Sequence, residues 1–168
     1  GLSSVDRSTM DKVTYSSDTT AAVPGAFLSS NRTATGATGN STAGYFGGGQ
    51  AYGPSLFSRM DKVTYSTDTT AAVPGASLSV ARTQLTATGN STAGYFGGGS
   101  APGPFPTPVS TMDKVTYSSD TTAAVPGAPL SAARYRLAAT GNSSAGYFGG
   151  GNPPSPGLSS VDRSTMDK

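Results

Sequence analysis

One block of about forty residues is written three times. It starts at Met10, Met60 and Met112 and closes each time on GYFGGG. The last copy reads MDKVTYSSDTTAAVPGAPLSAARYRLAATGNSSAGYFGGG, and a fourth begins at Met166. Near-identity at a period of roughly fifty residues constrains the fold more than any other feature. Each copy must be one supersecondary unit that buries its apolar face on its neighbours. The blocks are joined by segments that differ in length and composition. These are QAYGPSLFSR (50–59), SAPGPFPTPVST (100–111) and NPPSPGLSSVDRST (152–165), all rich in the Pro, Gly and Ser of loops. The chain divides into repeats at 1–59, 60–111 and 112–165, each with its variable loop, and the start of a fourth at 166–168. Residues 157–168 duplicate residues 1–12 letter for letter.

Within a repeat the pattern is that of strands. YRLAAT (135–140) reads as a strand and Gly141-Asn142 as a two-residue turn, because both residues tolerate positive φ. The partner strand carries Tyr147 and Phe148, which a period of two sends to opposite faces. After the variable loop, MDKVTYSSD alternates. Lys114, Thr116 and Ser118 take one face, Val115 and Tyr117 the other. Asp120 closes that strand at a turn, and TTAAVPGA makes a fourth, stopped at Pro126-Gly127. LSAARYRLAA (130–139) is the one stretch with some helical character, and its counterpart LSSNRTATGA is a poor helix. The expectation is an all-β chain of tandem four-stranded antiparallel blades.

Composition narrows the chemistry. Charged residues are only 12% of the chain, about half the usual share. The net charge of +2 is spread along the repeats with no basic stripe, so nucleic acid is not an expected partner. No apolar run approaches the roughly 18 residues of a membrane span. The N-terminal residues show no signal-peptide pattern, and the absence of an initial Met is compatible with processing or with a longer parent chain. The chain has no Cys, His, Trp or Glu. Disulfides and thiolate metal sites are therefore excluded, and the usual nucleophile–base pairs cannot be assembled. No cofactor is expected.

The order of motifs resembles the kelch repeat. Arg82 or Arg134 precedes a strand ending in glycines (GYFGGG), and a Tyr-Asp region (VTYSSD) follows. The chain departs from that pattern where an aromatic residue is expected after the Tyr, since Ala123 to Val125 stand there. The near-identical copies also resemble kelch-like repeat proteins of marine cyanobacteria and their phages. The resemblance implies blades of a β-propeller or part of one. Three blades do not close a ring, so it also implies either a longer array or assembly between chains. The copper oxidases built on kelch propellers rely on His and Cys, which this chain lacks.

Candidate functional residues follow from what varies and what repeats. Tyr52, Phe57 and Phe105 lie in the variable loops and are contact-type residues. Gly48, Gly98 and Gly150, the middle glycines of the triplets, are expected to serve close approach or positive φ. Asn40, Asn90 and Asn142 are expected at turns; they also stand in Asn-X-Ser/Thr sequons, as does Asn31. Asp11, Asp61 and Asp113 recur before Lys and are expected to be solvated strand ends paired with that neighbour. Asp18, Asp68 and Asp120 are expected turn formers. The function expected is a non-enzymatic structural or adhesion protein, located in a virion fibre or an extracellular assembly. It would self-assemble into a ring or fibre and bind a host-surface protein or glycan through its loops. A filament without ligand and an enzyme on a propeller scaffold are the alternatives. Both termini are expected to be strand-like, with Val13 and Val161 on faces that a neighbouring blade covers.

Overall fold

The computed structural model describes residues 7–103, 107–154 and 166–167. The described chain is all-β. Its strands are β1 (Thr9–Thr14), β2 (Thr19–Phe27), β3 (Gly36–Gly39), β4 (Ala43–Gly47), β5 (Met60–Thr64) and β6 (Thr69–Ala72), followed by a 3-10 turn at Pro74–Ala76. Next come β7 (Thr86–Gly89), β8 (Ala93–Gly97), β9 (Ser100–Ala101), β10 (Thr107–Pro108), β11 (Met112–Thr116) and β12 (Thr121–Ala124). The last are β13 (Ala138–Gly141), β14 (Gly146–Gly149) and β15 (Met166–Asp167).

These strands form separate antiparallel sheets, none of them closed. Two are four-stranded meanders, β3-β4-β5-β6 and β7-β8-β11-β12. Before them stands the hairpin β1-β2, and after them β13-β14-β15. Each meander straddles a sequence boundary. Its first two strands come from the end of one block and its last two from the start of the next. The register repeats residue for residue: Gly44 faces Val63 and Gly94 faces Val115, while Phe46 faces Asp61 and Phe96 faces Asp113.

Successive sheets lie against each other, β3 on β7 and β7 on β13. Backbone bonds link them one period apart. Gln84 N–H donates to Ala34 O and Arg136 N–H to Gln84 O, each at 2.9 Å. The core between the meanders holds Met60, Leu78, Leu85, Phe96, Tyr45, Val115 and Tyr117. The next interface reuses the equivalent Met112, Leu130, Leu137 and Phe148. Each buried Phe contributes about 1.5–3 kcal/mol. Gly47 and Gly97 make this possible, for the rings of Phe96 and Phe148 lie where their Cβ atoms would stand, at 2.9 and 2.7 Å.

Three local expectations need correction. The strand read at 135–140 begins only at Ala138, because Arg136 takes a left-handed φ of 58° and Tyr135 instead bridges Asn152. Ala34 and Gln84 break the chain in the same way. The turn read at Gly141-Asn142 sits two residues later. Asn142 keeps a negative φ and its carboxamide oxygen accepts from the backbone of Ser144 (2.8 Å) and Ala145 (3.0 Å), an Asx turn. TTAAVPGA ends its strand before Pro in the second and third copies, whereas β2 runs on through Pro24 at a sheet edge, where no ladder donor is needed.

The middle glycines of the triplets all have positive φ: Gly48 at 70°, Gly98 at 65° and Gly150 at 72°. A Cβ on Gly98 would stand 2.7 Å from the Arg134 carbonyl oxygen, while a Cβ on Gly150 meets no described atom within 4 Å. Gly150→Ala is expected to cost only the left-handed strain, about 1–2 kcal/mol. Gly98→Ala should cost more, because backbone must move as well. Denaturant unfolding of the two variants checks the order.

Candidate functional site

The most buried polar groups are arginines and aspartates that bind the elements of each sheet together. Arg32 ends the LSSNR segment and Asp61 lies on β5. Both side chains are fully buried, with Arg32 Nη2 2.6 Å from Asp61 Oδ2. The same Nη2 donates to Phe46 O on β4 at 3.1 Å, and Ser29 Oγ donates to Asp61 at 3.1 Å. One period on, Arg82 forms an ion pair with Asp113 at 2.7 Å and donates to Phe96 O at 3.0 Å. Arg134 is equally buried and donates to Phe148 O at 3.3 Å. Burial pulls the guanidinium pKa of Arg32 and Arg82 below its ordinary value, and the facing carboxylate opposes that pull. The segment that carries each Arg is pinned by backbone bonds. Leu78 N–H donates to Ser58 O (2.7 Å) and Leu130 N–H to Ser110 O (2.9 Å).

The expected solvated Asp61 and Asp113 are thus overturned. The alternation of the strand explains why. Asp113 stands two residues before Val115 and so shares its inward face, where Arg82 supplies the compensating charge. Asp11 remains exposed, because among the described residues the β1-β2 sheet has no counterpart of β3 and β4 to cover it.

A second polar cluster joins neighbouring sheets. Lys12 pairs with Asp68 at 2.7 Å and Lys62 with Asp120 at 2.8 Å. Lys12 and Lys62, each following a repeated Asp, therefore reach the next period and not their neighbours. Asp68 and Asp120 occupy left-handed positions, φ 51° and 52°, at their hairpin tips, so the turn role and the ion pair coexist. Tyr45 donates its hydroxyl to Asp120 and stacks on Tyr117, ring centroids 5.0 Å apart. Thr38 Oγ1 lies 3.1 Å from the Tyr117 hydroxyl. Burial, reinforced by the Asp120 carboxylate, pushes the Tyr45 hydroxyl up to about 12. Lys62 is raised by its hydrogen bond to Asp120, although burial opposes it. Burial acts to raise Asp120, but hydrogen bonds from Lys62 and Tyr45 outweigh it and leave the carboxyl below its ordinary value.

Asn40, Asn90 and Asn142 each cap a hairpin. Asn40 and Asn90 also reach across the stack, donating to Ser91 O (3.3 Å) and Ser143 O (3.5 Å). Tyr52 stands at the tip of the first variable loop, 83% exposed. Gln50 bridges both Thr33 and Leu56 at the base of that loop. Phe57 is half-buried with the Arg59 guanidinium 4.9 Å above its ring. The second loop carries the small hairpin β9-β10. Phe105 and Val161 lie outside the described residues, as does most of the third loop, while Val13 is 46% exposed. Among the described residues, no three His, Cys, Asp or Glu side chains gather to hold a metal ion. No described helix is long and apolar enough to cross a membrane.

Between the β8-β11 side of the second meander and β13-β14 lies an open groove of about 770 Å³. It is lined by Tyr95, Met112, Leu130, Asn142, Gly146 and Phe148 among others. No family model matches the chain, and no curated protein matches it.

Two predictions follow from these clusters. Asp113→Ala leaves Arg82 charged in a dry core and is expected to destabilise by about 3–5 kcal/mol. Asp11→Ala, on an exposed strand, should stay within about 0.5 kcal/mol. Chemical denaturation of both variants decides the contrast. For pH, the lowered Asp120 contributes stability that is present above the ordinary carboxyl range and lost as pH falls below it. The raised Lys62 and Tyr45 contribute stability that is complete below their ordinary values and lost as pH climbs toward 12. The melting temperature should therefore be level between about pH 5 and 9 and fall on both sides. Tyr45→Phe should soften the alkaline fall, read from melts across pH.

Proposed function

We propose that this chain is a non-enzymatic structural and adhesion module whose stacked sheets, read as kelch-like blades, present variable loops to a partner. The observation that carries this reading is the contrast between stack and loops. Met60 and Met112, Leu78 and Leu130, Phe96 and Phe148 occupy equivalent places in successive interfaces. The segments joining β4 to β5 and β8 to β11 differ in length, sequence and local fold. A rigid scaffold with variable connections is how many folds carry recognition.

The blade reading is supported by the four-stranded meander, the Arg before the inner strand and the glycines that end it. The repeated carboxylates serve ion pairs and turns, and this favours a structural over a catalytic role for them. A virion fibre or an extracellular assembly suits a cysteine-free, sparsely charged repeat stack. The partner is a host-surface protein or glycan, met through aromatic side chains such as Tyr52.

The test is loop replacement. Exchanging residues 51–55, including Tyr52, for Gly and Ser should lower binding to a glycan array or to host cells at least tenfold, as loss of an exposed aromatic anchor does. The melting temperature should hold, because the exchanged tip lies outside the stack. Binding that survives replacement of all three loops overturns the adhesion reading.

A further inference from the structure

We infer that the partner face extends from the variable loops onto block positions 33–36, 83–86 and 135–138, and that it takes a glycan bearing carboxylate groups. The inference rests on the adhesion reading above and names the chemistry of its ligand.

The blocks themselves vary, and they vary in one place. Apart from Ser/Thr exchanges at 17, 67 and 119 and at 42, 92 and 144, every difference among the three copies falls within 27–36, 77–86 and 129–138. In the antiparallel sheets these segments re-enter at the end where the variable loops leave, opposite the hairpin tips at Asn40 and Asp68. The two kinds of variation also touch. Thr33 bridges Gln50, Thr83 bridges Ser100 and Tyr135 bridges Asn152. Variation thus collects at one end of each sheet, where a recognition surface needs it.

Contacts run across that end from one period to the next. The Arg59 guanidinium lies 4.9 Å from the Phe57 ring centroid, and Phe57 O accepts from Arg82 N–H at 3.1 Å. Two residues on, Gln84 Oε1 accepts from Arg136 Nε at 3.1 Å, and the Arg136 guanidinium lies 5.5 Å from the Tyr135 centroid. Gln84 has a period on either side and is still only half-buried, so this position faces outward within the stack. Charge then selects the ligand. In the meanders the carboxylates at this end, Asp61 and Asp113, are buried on Arg32 and Arg82. Asp68 and Asp120 stand at the opposite end, on Lys12 and Lys62. Arg59 and Arg136 are exposed, and neither forms an ion pair with a described acid. With Nε committed to Gln84, Arg136 offers its two Nη groups as a planar fork beside an aromatic ring, the geometry that takes a carboxylate bidentately. Tyr52 adds an exposed ring on which the apolar face of a sugar lies.

The test compares charged and uncharged forms of one sugar. Galacturonate oligomers should bind the full chain roughly tenfold more tightly than their methyl esters, as charge-assisted bonds to a guanidinium do. Added salt should erode that preference, because exposed charges are screened. Sialyllactose against lactose repeats the comparison for a terminal carboxylate, and a preference in either pair supports the inference and tells which kind of sugar acid is met. Arg59→Ala/Arg136→Ala should remove the preference at an unchanged melting temperature. Arg136→Lys should keep only part of it, since an ammonium has no planar fork. Lys12→Ala, which removes a cation directed to the hairpin end, should leave binding as it is. Equal binding of acid and neutral forms, or a preference that survives the double Arg variant, overturns the inference. If that binding is still lost on exchange of residues 51–55, the adhesion reading stands. A chain that binds none of the four sugars also overturns the inference.

Discussion

The buried Arg–Asp pair decides how each sheet is held. Arg32 and Arg82 arrive from irregular segments that have no ladder of their own. Each reaches a carbonyl on the inner strand and a carboxylate on the next strand out. One side chain therefore fixes three pieces of backbone, the last of which is joined to the other two only through a variable loop. Ionic groups in a dry core stabilise little beyond an apolar substitute, but a broken pair is severely costly. The pair acts as a registration device. If β5 slipped by one residue, Asp61 would turn to solvent and Arg32 would be left charged in the core.

That registration is what lets the loops vary. The connection from β4 to β5 and that from β8 to β11 leave and re-enter the sheet at equivalent points, Gly47 to Met60 and Gly97 to Met112. With Arg, Asp and the glycine triplet setting both ends, the loop tips carry no share of the strand register, while the last residues of each variable segment supply only backbone carbonyls, as Ser58 O and Ser110 O do for Leu78 and Leu130. The side-chain contacts between sheets are independent of them. Lys12–Asp68, Lys62–Asp120 and the Asn40–Ser91 bond join residues that lie wholly within the constant blocks.

Much of the architecture was legible in the residues. The period announced a repeated antiparallel unit, and the alternation in MDKVTYSSD placed Val115 and Tyr117 inward. The same alternation already put Asp113 on that inward face, and the Arg closing LSSNR, LSVAR and LSAAR offered a cation in every copy. The pair was missed because an Asp followed by Lys reads locally as a solvated strand end, and burial is decided by a segment about thirty residues away. The left-handed breaks at Ala34, Gln84 and Arg136 had no signal of their own, for the three residues share neither size nor charge. The structure imposes them through the bonds from Gln84 to Ala34 and from Arg136 to Gln84, which exist only once sheets are stacked. The Asx turns were half legible. Asn announced a turn, but its side chain rather than its φ does the turning.

The Asn, Lys, Tyr and Asp contacts share a direction, and this gives the stack its polarity. In every observed case the donor from one period meets the acceptor of the period that follows: Asn40 to Ser91, Asn90 to Ser143, Lys62 and Tyr45 to Asp120. In this side-chain set a sheet presents donors to the period that follows and acceptors to the one before, whereas the backbone bonds from Gln84 to Ala34 and from Arg136 to Gln84 run the other way. Two such stacks cannot meet face to face with like sides without leaving lysines opposed to lysines. Apolar burial alone would tolerate either orientation, since Phe and Leu have no sense of direction. The polar set, though it covers less area than the core, is what makes the order of the sheets run one way along the chain.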